Sequence, residues 1–106
     1  MARARTPLIA AVAVVSLASI SSIGCGGVAY TAKINSVEGK VEQAKEVGAE
    51  TYAPYYYYSA QSRVLKAREE AARADYGDAL DLLDEADSDA DQAINQAQAV
   101  RKGAGR

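Results

Sequence analysis

Apolar positions recur at helical spacing along most of the chain, and the longest such stretch runs from Tyr52 to Val100. In its first arm Tyr57, Ala60, Val64, Ala67, Ala71 and Ala74 return at steps of three and four, which puts them on one face of a helix. In its second arm Tyr76, Ala79, Leu83, Ala86, Ala90, Ala93, Ala97 and Val100 alternate three and four without a slip, the seam of a coiled-coil-like pair. The pattern predicts two antiparallel helices, about 53–74 and 76–101, joined at Ala74-Asp75-Tyr76 in a hairpin domain over 52–102. Upstream, Tyr30, Ile34, Val37, Val41 and Ala44 form a narrower stripe and predict an amphipathic helix over 28–48. So thin a stripe does not hold a helix by itself, and interior Gly39 costs about 1 kcal/mol relative to alanine. The first helix must therefore lie against the hairpin or against another copy.

The boundaries carry their own signals. Gly48 is a natural C-terminal stop, Thr51 a candidate N-cap, and Pro54 falls in a first turn, where a missing N–H costs little. Asp75 is placed to cap the last helix through the backbone N–H groups of Gly77 and Asp78. Arg101 and Lys102 complement that helix's dipole before Gly103 stops it and leaves a tail over 103–106. A second stripe on the middle helix, Tyr58, Leu65 and Ala72, widens its apolar arc, and so wide an arc calls for two neighbours. The expected fold is all-α: a small three-helix bundle built on an antiparallel helical hairpin, preceded by a signal peptide. The hairpin resembles a single tetratricopeptide unit, with Tyr76, Ala79 and Ala86 at that repeat's spacing, although one unit does not make a solenoid.

Residues 1–24 have a different texture. Arg3 and Arg5 precede an apolar run from Leu8 to Ile23, broken by Ser16, Ser19, Ser21 and Ser22 and followed by small residues. That is the layout of a secretory signal peptide, and the run is short against the roughly 20 apolar residues needed to cross a bilayer. An uncleaved N-terminal anchor is the alternative. Removing 1–24 takes Arg3 and Arg5 from the twelve basic residues and leaves ten against fourteen acidic ones, a formal charge of −4. Neither this balance nor the −2 of the full chain provides the basic footprint that nucleic acid requires. The chain has no histidine, so the commonest general base and zinc ligand is missing, and its single cysteine cannot form an internal disulfide.

That cysteine ends the exported segment. Ile23-Gly24-Cys25-Gly26 resembles a bacterial lipobox, with Ser22 standing where an aliphatic residue is usual. The resemblance implies cleavage before Cys25, lipid on Cys25 and a short tether over 25–27. Several acyl chains give stable anchoring where one gives only marginal binding. Gly26, which is not aspartate, implies an outer-membrane destination. A second resemblance lies in Tyr52-Ala53-Pro54, Ala60, Ala67, Ala71, Asp75-Tyr76, Ala79, Leu80, Ala86, Ala90 and Ala93. The sequence is similar in these positions to the bacterial envelope family known as domain of unknown function four-three-nine-eight, whose members are often lipoproteins. That resemblance implies a helical lipoprotein domain with no established activity.

Sharper chemistry finds little support. Asp87, Asp89 and Asp91 resemble the start of a calcium loop, but Gln92 and Gln98 hold the places that need glycine and a bidentate glutamate. Asp78, Asp81, Asp84 and Glu85 form a charge run of the kind that is mostly solvated, and no cleft former accompanies them. Tyr57 and Tyr58 lie on apolar sides and are expected in the core, while Tyr55 falls among polar residues. Tyr55, Ser62 and Arg63 are the candidate partner contact, since exposed tyrosine and arginine are enriched at binding hot spots. The expectation is a non-catalytic contact module facing the periplasm, held to the membrane by lipid on Cys25, with no metal, cofactor or nucleic acid. An oligomeric structural protein is the main alternative, and a ligand binder or enzyme a lesser one.

Overall fold

The computed structural model describes residues 25–104, so the expected signal peptide over 1–24 and the last two residues lie outside it. Four helices follow in order: α1 (Cys25–Glu46), α2 (Ala49–Tyr52), α3 (Pro54–Ala72) and α4 (Tyr76–Ala104). No strand occurs among the described residues, and the three long helices form the expected all-α bundle. α4 is the central member, packed against α3 and α1, while α1 and α3 touch each other less extensively. α1 runs parallel to α4: Tyr30 meets Tyr76 at one end, and Arg101 donates to the Val47 carbonyl at 3.2 Å at the other. α3 is antiparallel to both.

The apolar spacing is realised almost residue for residue. Leu83, Ala86, Ala90, Ala93 and Ala97 of α4 have no exposed surface, and Tyr57, Ala60, Val64 and Ala67 of α3 are buried against them. Ile34, Val37 and Ala44 of α1 close the core, with half-buried Val41 packing into both of its halves. Alanine dominates because close-packed axes leave little room at the seam. Leu83 and Val37 are the largest side chains that are completely enclosed.

The helix ends differ from expectation in several places. α1 begins at Cys25, so the stretch expected as a tether is its first turn. Gly26 and Gly27 lie under the Tyr76 ring, and a Cβ on Gly26 would stand 3.0 Å from Tyr76 Cδ2. Gly48, at φ 88°, ends α1 in the left-handed region as expected, with its N–H bonded to the Lys45 carbonyl at 3.0 Å. The chain then makes the extra short helix α2, which buries Ala49 and Ala53 in the corner. Thr51 therefore sits inside α2 and does not cap α3. Pro54 at the first helical position fixes the boundary residue as Ala53, which has extended φ and no side-chain cap.

Asp75 does not act as expected either. Its backbone carbonyl accepts the Ala79 N–H at 3.0 Å, but its carboxylate makes no hydrogen bond to Gly77 or Asp78. The turn is organised instead from the α3 side. Asp75 N–H bonds to Glu70 O at 2.9 Å and Ala74 N–H to Ala71 O at 2.9 Å, the paired bonds of a Schellman cap. Ala74 occupies the left-handed position, at φ 63°, where glycine is normal. At the other end α4 continues through Gly103 to Ala104, so Gly103 does not stop it. The stripe Tyr58, Leu65 and Ala72 is exposed and does not widen the core as expected.

Candidate functional site

Cys25 is exposed at the first residue of α1 and is not in a disulfide. It shares its end of the bundle with the α3–α4 turn, where Tyr30 and Tyr76 lie with ring centroids 6.0 Å apart. The other five tyrosines gather toward the opposite end, on α2 and the first turn of α3. Within the four-tyrosine run only Tyr57 enters the core; burial raises its pKa, and Gln61 Nε2 donates to its hydroxyl at 3.0 Å. Tyr58 lies half-exposed with its ring edge-on to Tyr57, and its hydroxyl donates to Glu50 Oε1 at 3.3 Å. Tyr55 is 76 % exposed and packs edge-on against Tyr56 at 5.1 Å.

Tyr55 and exposed Ser62, seven residues apart, share one face of α3. Arg63 does not join them. Its guanidinium reaches across to α4, with Nη1 2.8 Å from Asp89 Oδ2 and Nε 3.3 Å from Glu85 Oε2, while Ser59 Oγ donates to the same Asp89 oxygen at 2.6 Å. On the other flank of α4, Lys33 pairs with Asp84 at 2.8 Å and Lys40 with both Asp87 and Asp91 at 3.0 Å. The hydrogen bond from Asp84 holds the Lys33 pKa above its ordinary 10.5, and those from Asp91 and Asp87 do the same for Lys40.

The aspartates that resembled a calcium loop are thus divided between two flanks of one helix, Asp87 and Asp91 sharing Lys40 of α1 and Asp89 pairing with Arg63 of α3. They flank the alanine seam as interhelical charges flank a coiled coil, where they set register and orientation more than stability. Asp78, Asp81, Asp84 and Glu85 are exposed as expected, and the structure adds ion pairs from Asp84 to Lys33 and from Glu85 to Arg63. The available signal was the seven-residue spacing of Lys33 and Lys40 matching that of Asp84 and Asp91.

One further feature was not anticipated. Between α1 and α3 lies an open cleft of about 340 Å³, lined by the apolar Val41, Val64 and Leu65 and by the charged Glu38, Glu42, Lys45 and Arg68. Arg68 bridges it to Glu38. Among the described residues no cluster of histidine, cysteine or carboxylate side chains is arranged to hold a metal ion, and no helix is long and apolar enough to cross a membrane.

A family model described as domain of unknown function (DUF4398) matches residues 32–104, from the second turn of α1 to the end of α4. No curated protein and no solved structure matches the chain.

Proposed function

The chain belongs to this family, whose molecular activity is unknown, and from that premise we propose that it is an exported lipoprotein of the cell envelope, acting through contact without catalysis. Cys25 carries the lipid, the outer membrane holds it, and the bundle faces the periplasm. What supports this reading is the exposed thiol of the chain's single cysteine, at the first residue of α1 and just after the apolar run from Leu8 to Ile23. The family match begins at Ala32, so the attachment rests on Cys25 and its neighbours themselves.

Anchored there, the bundle stands with Tyr30 and Tyr76 next to the lipid, where tyrosine's amphipathic ring suits the interface. α1 has 22 residues and spans about 33 Å, which carries the tyrosine-rich end well clear of the headgroups. The partner contact centres on Tyr55 and Ser62, and Arg63 supports it by tying α3 to α4. Cells fed a labelled fatty acid provide the test: the wild-type chain incorporates label and Cys25→Ala does not. Equal labelling of the two chains refutes the attachment.

A further inference from the structure

Two successive glycines at the start of a helix make a flexible tether in an isolated chain, because glycine is a poor helix former and a first turn frays without tertiary packing. In the folded chain Gly26 and Gly27 are half-buried in the first turn of α1. The ring of Tyr76, the first residue of α4, lies over them. A Cβ on Gly26 would stand 3.0 Å from Tyr76 Cδ2, and one on Gly27 would stand 3.7 Å from the Tyr76 hydroxyl oxygen. Tyr30, one turn further along α1, packs against the same ring with centroids 6.0 Å apart. Thr31 Oγ1 donates to the Gly27 carbonyl at 2.8 Å and ties the first turn to the second. The ring is itself placed by the cap that closes α3, whose bond from Asp75 N–H to Glu70 O lies one residue before it.

We infer that Tyr76 is a clamp that makes the join between Cys25 and the bundle rigid. Gly26 lets α1 come this close beneath the ring, and the ring in return keeps the glycine pair helical. Cys25 therefore moves with the bundle, and no free backbone lies between it and the fold.

The consequence at a membrane rests on the proposed lipid attachment, whereas the clamp does not. With acyl chains on Cys25, the α3–α4 turn is held at the headgroups, because Tyr76 lies directly on the first turn of α1. The opposite end, where Arg101 meets Val47, is held off by the length of α1. With 1–24 removed the chain is net acidic, so an anionic lipid surface repels its flanks and favours the upright placement.

The test reads backbone order at 15N-labelled glycines of the full chain, expressed in cells and held in small bicelles of phosphatidylcholine and phosphatidylglycerol. Gly26 and Gly27 should have amide order parameters of about 0.85, equal to that of Gly39 in the interior of α1, and Tyr76→Ala should lower the pair below about 0.6 without moving Gly39. Tyr76→Phe should keep the wild-type values, since the ring makes the closest approach. Tyr76→Leu, which keeps apolar bulk without a flat ring, is read beside them, so that a general loosening of Tyr76→Ala leaves the comparison standing. Low order at Gly26 and Gly27 in the wild-type chain, or a pair that stays ordered in these variants wherever Gly39 does, overturns the clamp. A gadolinium-headgroup lipid added to the bicelles reads the placement: Gly77 in the first turn of α4 should lose its signal, while Gly48 and Gly103 at the opposite end keep theirs. Loss of all three signals together overturns the upright placement. Cys25→Ala separates the two readings. An ordered glycine pair in that variant, with no fatty-acid label on either chain, refutes the anchor and supports the clamp. Order that is lost in Cys25→Ala alone makes the lipid its source and overturns the clamp.

Discussion

Replacing Ala74 by glycine should stabilise the protein. Ala74 sits at φ 63°, where its Cβ crowds the following carbonyl, and this conformation costs an alanine about 1–2 kcal/mol. Glycine removes that cost and keeps both bonds of the cap, from Asp75 N–H to Glu70 O and from Ala74 N–H to Ala71 O. Against it stands the greater freedom of glycine in the unfolded chain, worth about 0.4–1 kcal/mol. The difference favours Ala74→Gly by roughly 0.5–1 kcal/mol, which in a domain of this size raises the melting temperature by about 2–6 °C. Ala74→Val should move it the other way, because a β-branched residue tolerates positive φ least. Asp75→Ala, next along the chain, should change stability by less than about 0.5 kcal/mol, since its carboxylate holds no hydrogen bond. Circular dichroism melts of the three full-length variants in one detergent decide the matter. An Ala74→Gly melt at or below wild type, or a large loss in Asp75→Ala, would mean that the helix start governs the turn and the Schellman cap does not.

Two further outcomes follow from the same geometry. Gly26→Val should lower the melting temperature by pressing on the Tyr76 ring at 3.0 Å, whereas Gly39→Ala, with nothing within 4 Å, should raise it through the ~1 kcal/mol helix-propensity difference; equal shifts in the same scans would remove the close approach from the account. With no histidine in the chain, stability should be nearly flat from about pH 6 to 9. Lys33 and Lys40 have folded pKa values above 10.5, so their contribution is complete below that value and is lost as pH rises through the folded pKa. Burial raises Tyr30 and Tyr57 above 10.0, so the unfolded chain releases those protons first and stability falls in the same direction. Melts across alkaline pH should therefore fall only above about pH 10, and a transition near neutrality would contradict this.

The seams were legible because each is a long run at a single period, and period three-and-four has one structural meaning over twenty residues. Tyr57 through Ala67 and Ala79 through Ala97 went inside as their spacing required. What spacing does not determine is which of two adjacent apolar stripes meets a neighbour. Tyr58, Leu65 and Ala72 were apolar enough for a core, but α1 lies mainly against α4 and leaves them outside. The turn escaped for a different reason. Sequence signals mark a left-handed position by glycine, and here alanine holds it, so Asp75 drew the attention that belonged to Ala74. The glycines at 26 and 27 read as a tether because close approach to a ring more than forty residues away leaves no local trace. Of the candidate contact residues, exposure of Tyr55 and Ser62 was readable from the helical wheel, whereas the reach of Arg63 to Asp89 needed the register of two helices.

The alanine seam also shapes the temperature response of the protein. Each alanine withdraws far less apolar surface from water than leucine or phenylalanine, and exposure of apolar surface is what raises the heat capacity on unfolding. A seam in which Leu83 is the only large side chain fully enclosed on α4 therefore gives a heat-capacity increment below the ~12–15 cal/mol/K per residue typical of globular domains. The stability curve is correspondingly broad and shallow. Its height changes little with cooling, and the low-temperature unfolding limit of richer cores moves further below the range in which water is liquid.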